Sequence, residues 1–378
     1  MKKGSKRKES ETLNATDFDP ENTNIDELLP DLIHNKHIIG VSTVLEAYNQ
    51  QIHDSTLLLT CVYLARNPGY STTVAKYLNR LNKDYPAQVA SIQAFMLINN
   101  CSVNIRDEKC NEALQILDVV RKKDKKNSQI LYNEGFIHAL LRNKETAFDF
   151  LKASLRPQDG KLPYASAILL MIRIMRSNCQ TSEALQLATN SYYLLNRYDK
   201  NICIEGMYAA AEKGDMDQMD FFFKKLKKHY KKDSTVMEAL VKINLMLGKT
   251  KNASDCFQTW SEFDKESPEF FFCCSQLCLA SQDTSEAIKN LILAIQLDPS
   301  NAEYIANLAT VFFKTGAKEK AYDHARSAIR ADPYSIHAWL ALEMVSPDDS
   351  EARDALNKAV ELRKNVVDLS GLSIILND

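Results

Sequence analysis

AIQLDP at residues 294–299 returns as AIRADP at 328–333, and the interval from Pro299 to Pro333 is 34 residues. A fixed period of that size decides the fold if it extends, because self-similarity at roughly 20–50 residues marks stacked supersecondary units. It does extend. Counting from Ala302 as position 1, a small residue stands at position 8 (Ala309), Gly316 at 15, Ala321 at 20, Ala328 at 27 and Pro333 at 32. The preceding unit repeats Ser275, Ala287, Ala294 and Pro299 at positions 8, 20, 27 and 32, and Gly248 and Gly214 hold position 15 in the two units before that. Position 20 runs through Ala75, Ala113, Ala147, Ala184, Met219, Ala253, Ala287, Ala321 and Ala352, at spacings of 38, 34, 37, 35, 34, 34, 34 and 31.

Each unit holds two apolar stretches with helical spacing, such as Ile305, Leu308 and Phe312, then Ala321, Ala325 and Ala328, separated by KTGAKE. This is a helix hairpin. Glycine at position 15 can adopt the left-handed conformation that stops the first helix, and proline at 32 cannot continue the second. Small residues at 8 and 20 let the two helices approach, and a unit that cannot bury its apolar face alone stacks on the next. The expected fold is all-α, with about nine helix-hairpin repeats over residues 55–366. Only ten Gly and ten Pro in 378 residues agree with helices joined by short turns.

Composition excludes several classes of function. Formal net charge is −2, so no global field recruits nucleic acid or a membrane surface. The longest apolar runs, such as AILLMI at 167–172, are too short to span a bilayer. MKKGSKRKES is basic but is followed by polar sequence, so an intracellular protein is expected, in nucleus and/or cytoplasm. The nine cysteines then read as reduced, mostly buried side chains; Cys273, Cys274 and Cys278 cluster but lack the further ligands a metal would need.

The small, Gly, Ala, Ala and Pro positions resemble the tetratricopeptide repeat family, which implies a right-handed α-α superhelix. Departures are plain: position 4 is Trp only at Trp339, the second unit has a longer hairpin loop at NNCSVNIRDEKC, and the last unit reads as three residues short at SPDD. In the family the first helices line the binding groove, so positions 2, 5, 9, 12 and 13 project Tyr132, Phe136, Arg173, Arg176, Tyr208, Lys242, Phe272, Gln276 and Phe313 toward a bound segment. The alternative for each is burial between neighbouring units. The carboxylate clamp of tetratricopeptide co-chaperones, with Lys at position 5 and Asn at 9, is absent, since those positions read Tyr132, Leu169 and Ile204, and Phe136, Arg173 and Tyr208.

LNRYDKNICIEGMYAAAEKGDMDQM and the final AYDHARSAIRADPYSIHAWLALEMVSPDDSEARDALNKAVEL are similar to tetratricopeptide scaffold subunits of the anaphase-promoting complex. That resemblance implies sibling tetratricopeptide partners, a homodimer or other protein subunits, and a place in the ubiquitin conjugation pathway of the cell cycle. An adaptor in transcription, transport or cilia, or a peptide-binding regulator, stays open beside it.

No motif points to catalysis. A Gly-rich phosphate loop, HExxH, GxSxG and paired cysteines are all missing, and the seven histidines sit in unrelated units, so neither an enzyme nor a cofactor is expected. KKLKKHYKK at 224–232 and RKKDKK at 121–126 end second helices, where cations suit the dipole, and no aromatic interleaving suggests nucleic acid. Residues 1–24 are polar and expected to be disordered. Within them Lys2, Lys3, Lys6, Arg7 and Lys8 form either a nuclear import signal or a solubilising tail. Residues 25–54 form a helical lead-in, and DLSGLSIILND is expected to cover the last exposed face.

Overall fold

The computed structural model of the chain describes residues 24–102, 105–156, 163–195 and 197–376. The expectations for the basic stretch Lys2 to Lys8, and for disorder before Asn24, lie outside these residues. Among the described residues there are helices and no strands. The lead-in is a pair, α1 (Ile25–His34) and α2 (Ile38–Tyr48). The period then yields α3 (Asp54–Ala65) and α4 (Ser71–Leu81), α5 (Pro86–Asn99) and α6 (Arg106–Lys123), α7 (Ser128–Leu140) and α8 (Lys144–Ser154), and α9 (Ala165–Ser177) and α10 (Thr181–Leu195). It continues with α11 (Lys200–Lys213) and α12 (Met216–His229), α13 (Ser234–Met246) and α14 (Thr250–Trp260), α15 (Pro268–Ala280) and α16 (Thr284–Leu297), α17 (Ala302–Lys314) and α18 (Lys318–Ala331), and α19 (Ile336–Val345) and α20 (Asp349–Asn365).

The chain divides into two compact units, one running to Leu141 and taking in the residues from Ser373, the other Arg142–Leu372. The period, being uniform across residue 141, gives no sign of this division. In the first unit Leu29, Leu45, Leu57, Leu64, Leu81, Ile92, Leu117 and Ile130 are fully buried. In the second, a core continues from Ile168 through Met207 and Phe222 to Cys273. The close approach in that core falls at Gly206, where an added Cβ would lie 2.5 Å from the ring of Phe222. At each full burial of an aliphatic side chain about 1.5–3 kcal/mol is gained.

Helix starts are set by side-chain caps. Asn127, Asp199, Asp233, Asp283 and Asn301 each accept a hydrogen bond from a backbone N–H of the first turn, a contact whose removal costs about 1 kcal/mol. Helix ends are set by the fifteenth position, and more uniformly than glycine suggested. Gly214, Gly248 and Gly316 have φ of 76°, 69° and 82°, but Arg142, Cys179 and Gln282, at the same position of their units, have 66°, 60° and 65°. The residue after the corner donates back to the same carbonyl in both kinds: Asp215 N–H to Ala210 at 2.8 Å, Gln180 N–H to Met175 at 2.8 Å and Asp283 N–H to Cys278 at 2.9 Å. Geometry imposes the corner, and three units hold it without glycine's ease.

Two anchors need correction. Ala75 is exposed and Val74 occupies the buried place instead. In the last unit the buried residue is Ala355, not Ala352; Ala321 to Ala355, and Ala325 to Ala359, are both 34 residues, so the unit is of full length. Its α19 ends early and α20 begins equally early, so the turn at 346–348 comes sooner in the unit but keeps its length, and the register of the second helix does not shift. In the closing segment, Ser373 and Ile375 are hydrogen-bonded to α7 in the first unit, and Asp368 and Ser370 to α9 in the second.

Of the nine cysteines, Cys61, Cys110, Cys203 and Cys273 are buried and Cys179 is exposed. Burial pushes the thiols of Cys61 and Cys203 up to about 12. Among the described residues no helix is long and apolar enough to cross a membrane, and no group of His, Cys, Asp and Glu could hold a metal ion.

Candidate functional site

In the first unit, α7 is buried along most of its length yet carries Gln129, Asn133 and Glu134 in its interior. Buried polar groups cost free energy unless they find partners. Here the partners include main chain. Asn133 Oδ1 accepts from the Ile375 N–H at 2.8 Å, and its Nδ2 donates to the Ile375 carbonyl at 2.9 Å. Gln129 Nε2 donates to the same carbonyl at 3.0 Å, and the Tyr132 hydroxyl donates to the Ser373 carbonyl at 3.0 Å. Ser91 of α5 orients both amides. Its hydroxyl donates to the Ala87 carbonyl at 2.8 Å, so towards Asn133 (2.9 Å) and Gln129 (3.2 Å) it accepts, which draws the two NH₂ groups to its side. Along the held segment Ser373 is exposed, Ile374 buried, Ile375 half-buried and Leu376 buried. That alternation is the period of an extended chain.

In the second unit the corresponding hold is ionic. Arg173 of α9 donates through Nη1 to the carbonyls of Asp368 (3.2 Å) and Ser370 (2.7 Å) and through Nε to Glu205 Oε1 at 2.7 Å. Glu205 of α11 is 4 % exposed. Its other oxygen takes Arg176, which also pairs with Glu212 and lies 4.9 Å from the Tyr208 ring centre. Burial pushes the Tyr208 hydroxyl well above its ordinary value. Farther along, Lys242 pairs with Glu238 at 2.8 Å and sits 5.2 Å from the Phe272 ring. Burial would lower the Lys242 ammonium, but Glu238 and Glu303 more than offset it and hold it above its ordinary value.

The nine projected residues thus divide. Tyr132, Phe136 and Phe272 are buried; Arg173, Arg176, Tyr208, Lys242, Gln276 and Phe313 are half-buried. Tyr132 and Arg173 touch residues 368–376, whereas Arg176 and Lys242 are engaged by carboxylates and Gln276 donates to Asn307 at 3.3 Å. Projection missed Ser91, Gln129, Asn133 and Glu205. Their signal was present as polar residues inside otherwise apolar helices, QILYN at 129–133 and ICIEGM at 202–207. The basic run at 121–126 is also partly engaged, Arg121 with Asp118 and with Glu134 at 2.9 Å.

What the arrangement does chemically is hold a peptide. It reads carbonyls and one N–H, with the aliphatic side chains of Ile374 and Leu376 turned inward.

No family model and no curated protein matches the chain. Among solved structures, the chain is similar to yeast Tom70, with a TM-score of 0.54 and 13% identity over 90% of this chain and 88% of that one. The Cut9–Hcn1 hetero-tetramer of the APC/C gives a TM-score of 0.46 at 14% identity, over 89% of this chain and 66% of that one. A tetratricopeptide repeat protein from Parabacteroides merdae gives 0.46 at 13% identity, over 72% and 92%. The fold is the all-α helix-hairpin solenoid of tetratricopeptide proteins.

Proposed function

We propose that this chain is a non-catalytic scaffold subunit of a multisubunit assembly, most similar in sequence to the seventh subunit of the anaphase-promoting complex. The observation that carries the scaffold reading is the use of first-helix side chains to grip main chain, Asn133 to Ile375 and Arg173 to Ser370. A surface that satisfies peptide groups is built for protein rather than for a small substrate. The finer assignment is supported by the stretches 195–219 and 321–362 and by the SPDD turn. Nuclear residence would follow from Lys2 to Lys8 acting as an import signal. Gentle affinity purification of the tagged chain tests the assignment: cullin-like and RING-containing proteins should come with it. Their absence, with transport or transcription factors in their place, would reassign the scaffold. A reporter carrying residues 1–24 should enter the nucleus; exclusion would reduce that stretch to a solubilising tail.

A further inference from the structure

Polar side chains rarely sit inside a helix that is otherwise apolar without a task, and the task of Gln129 and Asn133 is visible. We propose that they form a strand-reading site, that residues 373–376 are its built-in occupant, and that an extended partner segment with aliphatic side chains two residues apart displaces that occupant. The proposal rests on the scaffold reading above and specifies what the scaffold binds.

Three observations support it. First, the recognition is addressed to the main chain. Asn133 takes both the N–H and the carbonyl of Ile375, and Gln129 adds a second donor to that carbonyl, so any residue other than proline can stand there. Secondly, selectivity comes from alternate side chains, because Ile374 and Leu376 are 4 % and 5 % exposed while Ser373 points outward. Thirdly, the present occupant leaves the site incompletely satisfied. Gln129 is 2 % exposed, and its Oε1 meets no donor among the described residues. A buried acceptor without a donor is costly. A segment that presents an N–H to Oε1 would therefore fit better than residues 373–376 do, and the built-in occupant is one that can be exchanged.

The segment itself supplies the probe. A fluorescein-labelled peptide VVDLSGLSIIL, residues 366–376, is titrated into the full chain and into the full chain carrying Ile374→Asp with Leu376→Asp, which removes the occupant from its sockets. The released variant should bind at least tenfold more tightly than the unaltered chain, and adding Asn133→Leu should abolish that gain. Equal binding by both chains, or binding indifferent to Asn133→Leu, overturns the proposal. Should the released variant not fold by circular dichroism, hydrogen exchange of the unaltered chain decides. Excess peptide should remove the protection of the Ile375 N–H, and unchanged protection overturns the displacement. Co-purification of cullin-like partners alongside a failed titration would reject the strand site and leave the scaffold assignment standing. The reverse pattern would do the opposite.

Discussion

Asn133 and Glu205 are each the sixth residue of a first helix, α7 and α11, and they treat the same segment in opposite ways. The amide carries a donor and an acceptor, so Asn133 reads an N–H and a carbonyl of Ile375 directly. A carboxylate only accepts. Glu205 therefore cannot touch a carbonyl and instead holds Arg173, whose guanidinium reaches Asp368 and Ser370. One repeat position thus offers two routes to one end, a neutral direct contact and a charged relay. The relay commits two arginines and Glu205 to one another, and the direct contact commits only Ser91 and the segment.

The largest expected effect breaks the relay. Glu205→Leu strands Arg173 and Arg176, which are 11% and 19% exposed, and should cost about 3–5 kcal/mol by urea denaturation. A small change there would mean that Glu212 and Asp368 suffice as counter-ions. The next concerns the carboxylate beside Asn133. Glu134 is 2 % exposed, and burial pushes it up to about 7 in spite of Arg121, which Asp118 shares. A folded-state value above the unfolded 4.5 means that stability is fully present below about pH 4.5 and declines as pH rises through about 7. The decline should reach at most about 3 kcal/mol, and Glu134→Gln should flatten it in denaturation measured across that range. Third, Asn133→Asp keeps the shape but turns an acceptor toward Ser91 and the Ile375 carbonyl. We expect a loss of about 1–3 kcal/mol and faster exchange of the Ile375 N–H, with Asn133→Gln intermediate. The smallest effect is a control away from the segment. Gln282→Gly relieves a left-handed corner and should raise stability by about 0.5–1 kcal/mol without altering that exchange.

The hairpin architecture was legible because packing of one helix on another demands small residues, and Ala287 and Ala321 record that demand directly. Legibility failed where a different residue met the same demand. Arg142, Cys179 and Gln282 make the turn that glycine announces elsewhere, and Ala355 takes a place that counting gave to Ala352. The site was half legible. Projecting first-helix positions found Tyr132 and Arg173, which touch the segment, because those residues are aromatic or charged. It passed over Gln129 and Asn133, whose meaning depends on residue 375, some 240 positions away in the chain. Local periodicity carries no information about such a contact. Nor does it mark the division after Leu141, which separates α7 from α8 although the repeat runs on unchanged.

The buried thiols have a practical corollary. With Cys61 and Cys203 held almost wholly as neutral SH near neutral pH, and Cys179 open at a helix corner, a thiol-selective alkylating reagent should mark Cys179 at once and the others only as their surroundings breathe. The chain consequently carries an intrinsic clock for local opening in each of its two units, readable by the mass that alkylation adds and without an engineered probe residue.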